Sequence, residues 1–211
     1  MIAQGSDKPV VAAFDFDGTL TRRDTLLPFL LYVVGPIGFF SKIFYLLPIL
    51  TAYALGLIRN DAAKIKVLRS FLANSEMSAL QQKALRFAEL KLPFMLRNKA
   101  INRFHWHKQQ GHRCIVISAS LEIYLRPWAS IMGFNDILGS QLELNSDGTI
   151  SGSLKGENCF GPVKMQRLEN LLGLRGGYTL YAYGDSRGDK ELLAAADFPF
   201  YKSFTEQGTY S

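Results

Sequence analysis

The sequence predicts a doubly wound parallel α/β sheet that carries an inserted all-helical cap and a small β-hairpin. Short apolar runs indicate buried parallel strands, and they lie at Val10–Phe14, Cys114–Ile117 and Tyr178–Tyr183. Helical patterns follow and give the strand–helix alternation of this fold class, at 122–132, 163–172 and 190–196. Ligands of such sheets bind beyond the carboxyl ends of the strands, so polar residues there are the first functional candidates.

The spacing of the strands predicts two units. A chain of 211 residues can bury one catalytic core and a smaller module. Residues 23–110, between the first two strands, are too many for one crossover and have the patterns of several helices. We therefore assign residues 23–110 to the cap, and residues 1–22 and 111–211 to the core. Alternation from 137 to 154 around Asp147-Gly148 predicts the hairpin.

The charge distribution limits the classes of binding partner, and the cysteine content indicates the cellular compartment. The net charge is +6, and residues 59–108 hold eleven Lys and Arg against three acidic residues. A basic module attracts a phosphorylated substrate, an anionic lipid surface or nucleic acid, unless it is only a set of solvated helix faces. Cys114 and Cys159, the only two cysteines, have no paired spacing. No disulfide or zinc site is implied, and a cytoplasmic location fits.

Two carboxylates stand at the end of the first predicted strand. Asp15 and Asp17 flank Phe16, and Gly18 permits a tight turn after them. Such a pair can divide the chemistry of phosphoryl transfer. One acid attacks phosphorus, while the other protonates the leaving oxygen and then deprotonates the hydrolytic water. Alone, the pair is also typical of a loop or a helix cap, so its companions decide between these interpretations.

The companions are polar residues at the ends of later strands. Ser118 offers a hydroxyl and neighbouring N–H groups to phosphoryl oxygens, although alone it is a typical helix N-cap. Lys164 stands at a helix start, where the dipole disfavours a cation unless an anion is bound, although an ordinary surface lysine explains the position equally well on this argument alone. Asp185 and Asp189 add two carboxylates. Hard oxygen ligands beside a phosphate site favour Mg²⁺.

The order Asp-x-Asp-Gly-Thr, Ser, Lys and Gly-Asp-x-x-x-Asp resembles the haloacid dehalogenase superfamily of phosphatases over nearly the whole chain. Residues 111–120 and 158–164 are similar to subfamily IB, the branch that contains phosphoserine phosphatase and phosphatidylglycerophosphatase C. In that branch the helical cap lies between the first two motifs. The resemblance implies a Mg²⁺-dependent phosphatase that works through an aspartyl phosphate.

The resemblance also implies a role for each motif residue. Asp15 is then the nucleophile and a metal ligand. Asp17 is the acid–base residue and binds Mg²⁺ through its backbone carbonyl, while Asp185 completes the protein ligands. Ser118 and Lys164 hold the phosphoryl group. Asp17 argues against the haloalkanoate dehalogenases of the superfamily, because they lack this second acid.

Other polar residues carry open alternatives. Asp189 is expected beside the metal site, where it orients the phosphate-binding lysine or a metal-bound water. Asp24 lies where phosphoserine phosphatases carry a glutamate that meets the amino group of the substrate, but it can equally be the N-cap of the next helix. We do not interpret His105, His107 and His112 as a metal site, because residues two apart on a helix point to different faces.

Residues 26–58 form an apolar run whose only charge is Lys42. A single membrane crossing would separate Asp15 from Ser118, and two crossings need roughly forty residues, more than the run contains. The run is therefore either a re-entrant or interfacial hairpin, broken at Gly35-Pro36, or the dry core of the cap.

Three functions follow as hypotheses. The first is a phosphatase of phosphorylated small molecules or lipid head groups, such as phosphatidylglycerophosphate, bound peripherally to the cytoplasmic face of an anionic membrane through Phe39, Phe40 and Phe44. The second is a soluble phosphatase of phosphoserine or another small metabolite. The third is a phospho-acceptor signalling module, although receiver domains are shorter and have no large cap. We expect no nucleic-acid partner.

Overall fold

The computed structural model describes residues 8–204, with a five-stranded parallel sheet at its centre. The strands of the protein are β1 (Val10–Phe14), β2 (Arg113–Leu121), β3 (Asp136–Ser140), β4 (Leu142–Leu144), β5 (Ile150–Leu154), β6 (Thr179–Gly184) and β7 (Phe198–Tyr201). The central sheet has the order β3-β2-β1-β6-β7 and is parallel throughout. The first strand lies in the middle, so the residues that follow it stand between the ends of β2 and β6.

Helices cover the sheet and form the insert. They are α1 (Leu26–Ala54), α2 (Asn60–Leu72), α3 (Met77–Leu90), α4 (Asn98–Gln109), α5 (Glu122–Met132), α6 (Pro162–Leu172) and α7 (Lys190–Ala195). The helical insert between β1 and β2 and the small antiparallel hairpin β4–β5 are both present, as predicted. The architecture is the predicted doubly wound parallel sheet with a helical insert.

Two strands differ from the sequence prediction. The hairpin was expected over 137–154, but β3 leaves this stretch and pairs with β2 in the main sheet. Only β4 and β5 form the antiparallel pair, with Gly148 in the turn at φ +83°. The edge strand β7 was not predicted, since its four residues carry no alternation and include Pro199, which is tolerated at an edge.

Helix α4 packs against the sheet. Phe104 on α4 meets Phe14 of β1 edge to face, with ring centroids 6.2 Å apart. His107, one turn later, contacts Tyr183 of β6. The division into a core and a cap at residues 23–110 remains a prediction, and these contacts favour counting α4 with the core.

Helix α1 is two helical arms joined at a break. Gly35 has φ +74° and ψ 169°, a conformation that favours glycine, and Pro36 starts the second arm. Lys83 donates a hydrogen bond to the carbonyl of Val33 beside the break, at 2.8 Å. The break lies where the sequence predicts it.

The second arm of α1 is apolar on all sides, but only one side is packed. Phe39 faces inward, and its ring centroid lies 5.6 Å from that of Phe71. Ile37, Phe40 and Phe44 follow the i, i+3, i+7 spacing of one helix face and are 88%, 66% and 78% exposed. The helix is long and apolar enough to cross a membrane, yet only 11% of its most apolar window is buried. The run therefore contributes to the cap core and also presents an apolar face to solvent.

We expect Phe87→Ala to destabilise the protein by about 3 to 5 kcal/mol, because it leaves a cavity in the buried contact between the insert and the core. Phe87 is 1% exposed, and its ring centroid lies 5.3 Å from that of Phe29 and 5.7 Å from that of Tyr124. Urea unfolding measures the change. Leu90→Ala, at a 56% exposed position on the same helix, is the control and should cost less than about 0.5 kcal/mol. Equal losses in both variants would contradict this packing.

Candidate active site

The candidate site lies at the carboxyl end of the central sheet. Asp15 directly follows β1, and its N–H donates to the carbonyl of Tyr183 on β6 at 2.9 Å. Ser118 lies near the end of β2, and Asp185 directly follows β6. Lys164 enters from the first turn of α6. The parallel order of the strands brings these sequence-distant residues to one place, as the motif positions predict.

A buried ion triad is the centre of the site. The Nζ of Lys164 lies 2.5 Å from Oδ1 of Asp15 and 2.5 Å from Oδ1 of Asp189. All three side chains are at most 7% exposed. Burial opposes the charge of Lys164, but the two carboxylates outweigh it and raise its pKa above the usual range. Burial raises the pKa of Asp15 to about 6 even though Lys164 lowers it.

Asp17 is held apart from this triad by hydroxyl and backbone donors. Its Oδ1 accepts from the N–H of Thr25 at 2.9 Å and from the Thr25 hydroxyl at 2.7 Å. Its Oδ2 accepts from the hydroxyl of Ser120 at 2.5 Å. Burial, and then the charge of Asp24, raise the pKa of Asp17 to about 7. A carboxyl group with that pKa can both give and take a proton at neutral pH.

The carboxylates near β6 are arranged by tight turns. Oδ2 of Asp189 accepts from the N–H groups of Asp185 and Ser186 at 3.1 and 3.0 Å. A Cβ on Gly18 would lie 2.2 Å from Oδ2 of Asp185, and a Cβ on Gly184 would lie 2.5 Å from the Cβ of Asp189. Glycine is therefore required at both positions, because any side chain would displace a carboxylate.

Oxygen atoms of Asp15, Asp185 and Asp189 lie within 4.8 Å of one another. Burial, and then the charge of Asp189, raise the pKa of Asp185. Oδ1 of Asp185 is buried and has no hydrogen-bond partner within residues 8–204. Close carboxylates and an unpaired buried oxygen fit a hard divalent cation, since a cation offsets their mutual repulsion.

Ser118 and Asp24 are placed at the edges of the site. Ser118 is 1% exposed, and its hydroxyl lies 3.2 Å from that of Ser120. Asp24 is exposed and accepts from the N–H of Leu26 at 2.8 Å. The N-cap position of α1 is Thr25, one residue later than the sequence suggested. Ser118 and Asp24 both line one cavity of about 550 Å³ beside the triad.

The histidines have no part in this site. His105 is exposed, whereas His107 is buried and its Nδ1 lies 2.7 Å from Nδ1 of His112. Nε2 of His107 lies 2.8 Å from the hydroxyl of Tyr183. The different faces of His105 and His107 agree with the sequence argument. Among residues 8–204, the close groups of potential metal ligands include no histidine.

Comparison with known proteins identifies the family. The model of the haloacid dehalogenase-like hydrolases matches residues 12–194. The chain belongs to this family. It is 34% identical to protein CicA of Caulobacter vibrioides over 204 residues, covering 97% of this chain and 90% of that protein. Over 99 residues, 44% of each chain, it is 34% identical to histidinol-phosphatase of Neisseria meningitidis serogroup C.

The fold is also that of known phosphatases in the family. A structure of phosphoserine phosphatase, solved as a phospho-aspartyl intermediate analogue, matches with a TM-score of 0.60 at 17% identity, covering 90% of this chain and 84% of that one. The protein is accordingly a haloacid dehalogenase-like hydrolase, and its fold is consistent with the predicted branch.

Sequence analysis missed three residues of this hydrolase site. Thr25 and Ser120 hold the carboxylate of Asp17, but hydroxyl residues are too common to single out without coordinates. Lys64 reaches from α2 of the insert, donating to the carbonyl of Ala119 and, at 2.8 Å, to Oδ1 of Asn158. Burial lowers the pKa of Lys64 to about 8. Lys64 is one of two lysines on α2, and nothing in the sequence distinguishes it from Lys66.

The raised pKa of Asp17 predicts how stability depends on pH. Without metal, the folded state binds a proton at Asp17 up to about pH 7, whereas an ordinary carboxyl loses it near 3.8. The unfolded state therefore binds fewer protons between these values, so the contribution of Asp17 to stability falls as pH rises. Asp17→Asn should be more stable than wild type by about 1 to 3 kcal/mol at pH 8.

The measurement is urea unfolding in chelator, at pH 4 and at pH 8. The advantage of Asp17→Asn should shrink toward pH 4, where Asp17 of the wild type is protonated in the folded state. Asp136→Asn, at a surface ion pair with Arg113, is a control that should not show this pattern. An advantage that is the same at both pH values would exclude titration of Asp17 as its cause.

Proposed function

We propose that the protein is a Mg²⁺-dependent phosphomonoester phosphatase that works through an aspartyl phosphate on Asp15. The observation that carries this proposal is the separation of two carboxyl groups, the buried one of Asp15 and the half-buried one of Asp17. Asp15 is paired with Lys164 at 2.5 Å, whereas Asp17 is held by Thr25 and Ser120 at a pKa of about 7. One is suited to attack and the other to proton transfer.

The proposed reaction has two half-reactions. An oxygen of Asp15 attacks phosphorus as the ester bond breaks, and Asp17 gives its proton to the leaving oxygen. Asp17 then takes a proton from water, which attacks the aspartyl phosphate and releases inorganic phosphate with Asp15 restored. Lys164 and Ser118, both buried at this strand end, hold the phosphoryl oxygens.

Magnesium would be held by Asp15, Asp185 and the backbone carbonyl of Asp17. The close oxygens of Asp15 and Asp185, and the unpaired Oδ1 of Asp185, support this site. The ion offsets negative charge on the phosphoryl group as an anionic nucleophile approaches it. Asp189 keeps Lys164 charged and oriented through its 2.5 Å contact. Asp24 is proposed as a substrate contact because it lines the cavity.

The exposed face of α1 favours a lipid phosphate over a soluble metabolite as the substrate. Phe40 and Phe44 are exposed apolar rings on the insert that borders the catalytic cavity. Arg23 and Arg59 flank the apolar run and are exposed, which suits an anionic surface. We propose peripheral binding at the cytoplasmic face of the membrane, with phosphatidylglycerophosphate as the model substrate. Phosphoserine represents the soluble alternative that the phosphatase relatives support.

Asp15→Asn should lose all turnover, because an amide cannot attack phosphorus. The assay is phosphate release from a panel that includes phosphatidylglycerophosphate and phosphoserine, with Mg²⁺ and with excess chelator. Wild type should turn over only with Mg²⁺. A variant with a tenth of the wild-type rate would exclude Asp15 as nucleophile. Stoichiometric phosphorylation of wild type without turnover would instead indicate a phospho-acceptor signalling module.

Replacing Phe40 and Phe44 together with Ser should release the protein from anionic vesicles. Burying each ring is worth roughly 1.5 to 3 kcal/mol, so the affinity should fall by about two to four powers of ten. Sedimentation with vesicles measures this change. Hydrolysis of a soluble phosphomonoester should persist, since neither ring lines the catalytic cavity.

Leu174→Ser is the matched control for membrane binding. Leu174 is 83% exposed and lies on the core, away from α1. This variant should bind vesicles like wild type. If wild type itself fails to sediment with vesicles, the membrane proposal is wrong and the soluble-metabolite enzyme is favoured.

A further inference from the structure

A second, smaller cavity adjoins the catalytic one. It has a volume of about 160 Å³, and Gly18 and Asp185 line both cavities. Thr19, Arg97 and Lys202 complete its polar wall. A single water needs only roughly 10–15 Å³ by this measure, so the space admits a larger polar molecule.

Buried polar atoms without a hydrogen-bond partner lie around this cavity. Within residues 8–204, six buried side-chain nitrogen or oxygen atoms lack a hydrogen bond. One of them, Oδ1 of Asp185, is assigned above to the metal site, and two others belong to this cavity: Oγ1 of Thr19 and Nε of Arg97. Thr19 is only 2% exposed. Since a buried polar atom without a partner is destabilising, two donors without a partner at one small space point to a polar occupant.

The charges and hydrogen-bond donors of the cavity-lining side chains favour an oxyanion as the occupant. Arg97 and Lys202 each bring a positive charge, and both lower the pKa of Asp185 against the stronger opposing effect of burial. Arg97, Lys202 and the Thr19 hydroxyl are donors, whereas Asp185 only accepts when it is ionised. Hydrogen phosphate matches this set, because its bare oxygens accept and its P–OH group donates.

We propose that this cavity is a second anion site, which binds inorganic phosphate and acts on the catalytic loop through Arg97. The choice of phosphate rests on the proposed function, which releases it beside this cavity. The site itself rests only on the unpartnered atoms, the two cations and the space between them.

Arg97 links the cavity to the loop that carries Asp17. Its Nη2 donates to the carbonyl of Gly18 at 3.0 Å, and its N–H donates to the carbonyl of Leu20 at 2.8 Å. The N–H of Arg22 donates back to the carbonyl of Met95 at 2.8 Å. An anion bound to Arg97 therefore affects the position of the loop that follows Asp17, because Arg97 holds two carbonyls of that loop. Anion binding in this cavity and ligand binding at the catalytic site are then coupled reciprocally.

The test is equilibrium dialysis of the full chain with radiolabelled phosphate and Mg²⁺. Wild type should bind two phosphates per chain, one in each cavity. Lys202→Gln should weaken one of the two by about tenfold or more, because it removes a charge-assisted contact. Lys190→Gln makes the same charge change at an exposed position outside the cavity and should retain both sites.

Thr19→Val is a second variant, which removes the buried hydroxyl at nearly constant volume and should also weaken the second site. Phosphate binding that Lys202→Gln and Thr19→Val both leave unchanged in number and affinity would overturn the proposal, whether wild type binds one phosphate or two. Failure of the phosphatase proposal would be seen separately, as absence of turnover in wild type, since dialysis uses no substrate.

Discussion

The contact of one buried ammonium group with two carboxylates is the constraint on which the site depends. Lys164 would be costly to bury alone, and so would Asp15 or Asp189. Together they neutralise much of the charge, and the Ser186 turn satisfies the remaining oxygen of Asp189. The triad joins the ends of β1 and β6 to the start of α6. The sheet order is thus tied to the chemistry, because another order would leave one of these charges unpaired.

The core of the fold and most of the candidate site could be predicted because they depend on local signals. Apolar runs predict β1, β2 and β6, and each is followed by the polar residues that meet in the site. The break at Gly35 was predictable from Gly-Pro within an apolar run, and the positive φ there gives the physical reason. Asp24 illustrates a case in which the sequence permitted two roles: the N-cap of α1 is Thr25, and the role of Asp24 as a substrate contact stays a prediction.

What could not be predicted depends on tertiary contacts. Phe39 and Phe40 are neighbours with the same chemistry, yet only the facing of their helix decides that one packs on Phe71 and the other meets solvent. Lys64 cannot be distinguished from Lys66, the other lysine of α2, until its contact with Ala119 is known. The strand β3 was assigned to the hairpin because alternation identifies a strand but not its partner.

The central position of β1 has a consequence for how the protein is made. Among the described strands, β1 is synthesised before its neighbours, which are β2, about a hundred residues later, and β6, which ends at Gly184. The apolar arms of α1 are therefore synthesised long before the sheet that positions the insert can close. During this interval the nascent chain exposes the apolar segment α1. Early binding of this segment to a chaperone or to a lipid surface would protect the chain from aggregation.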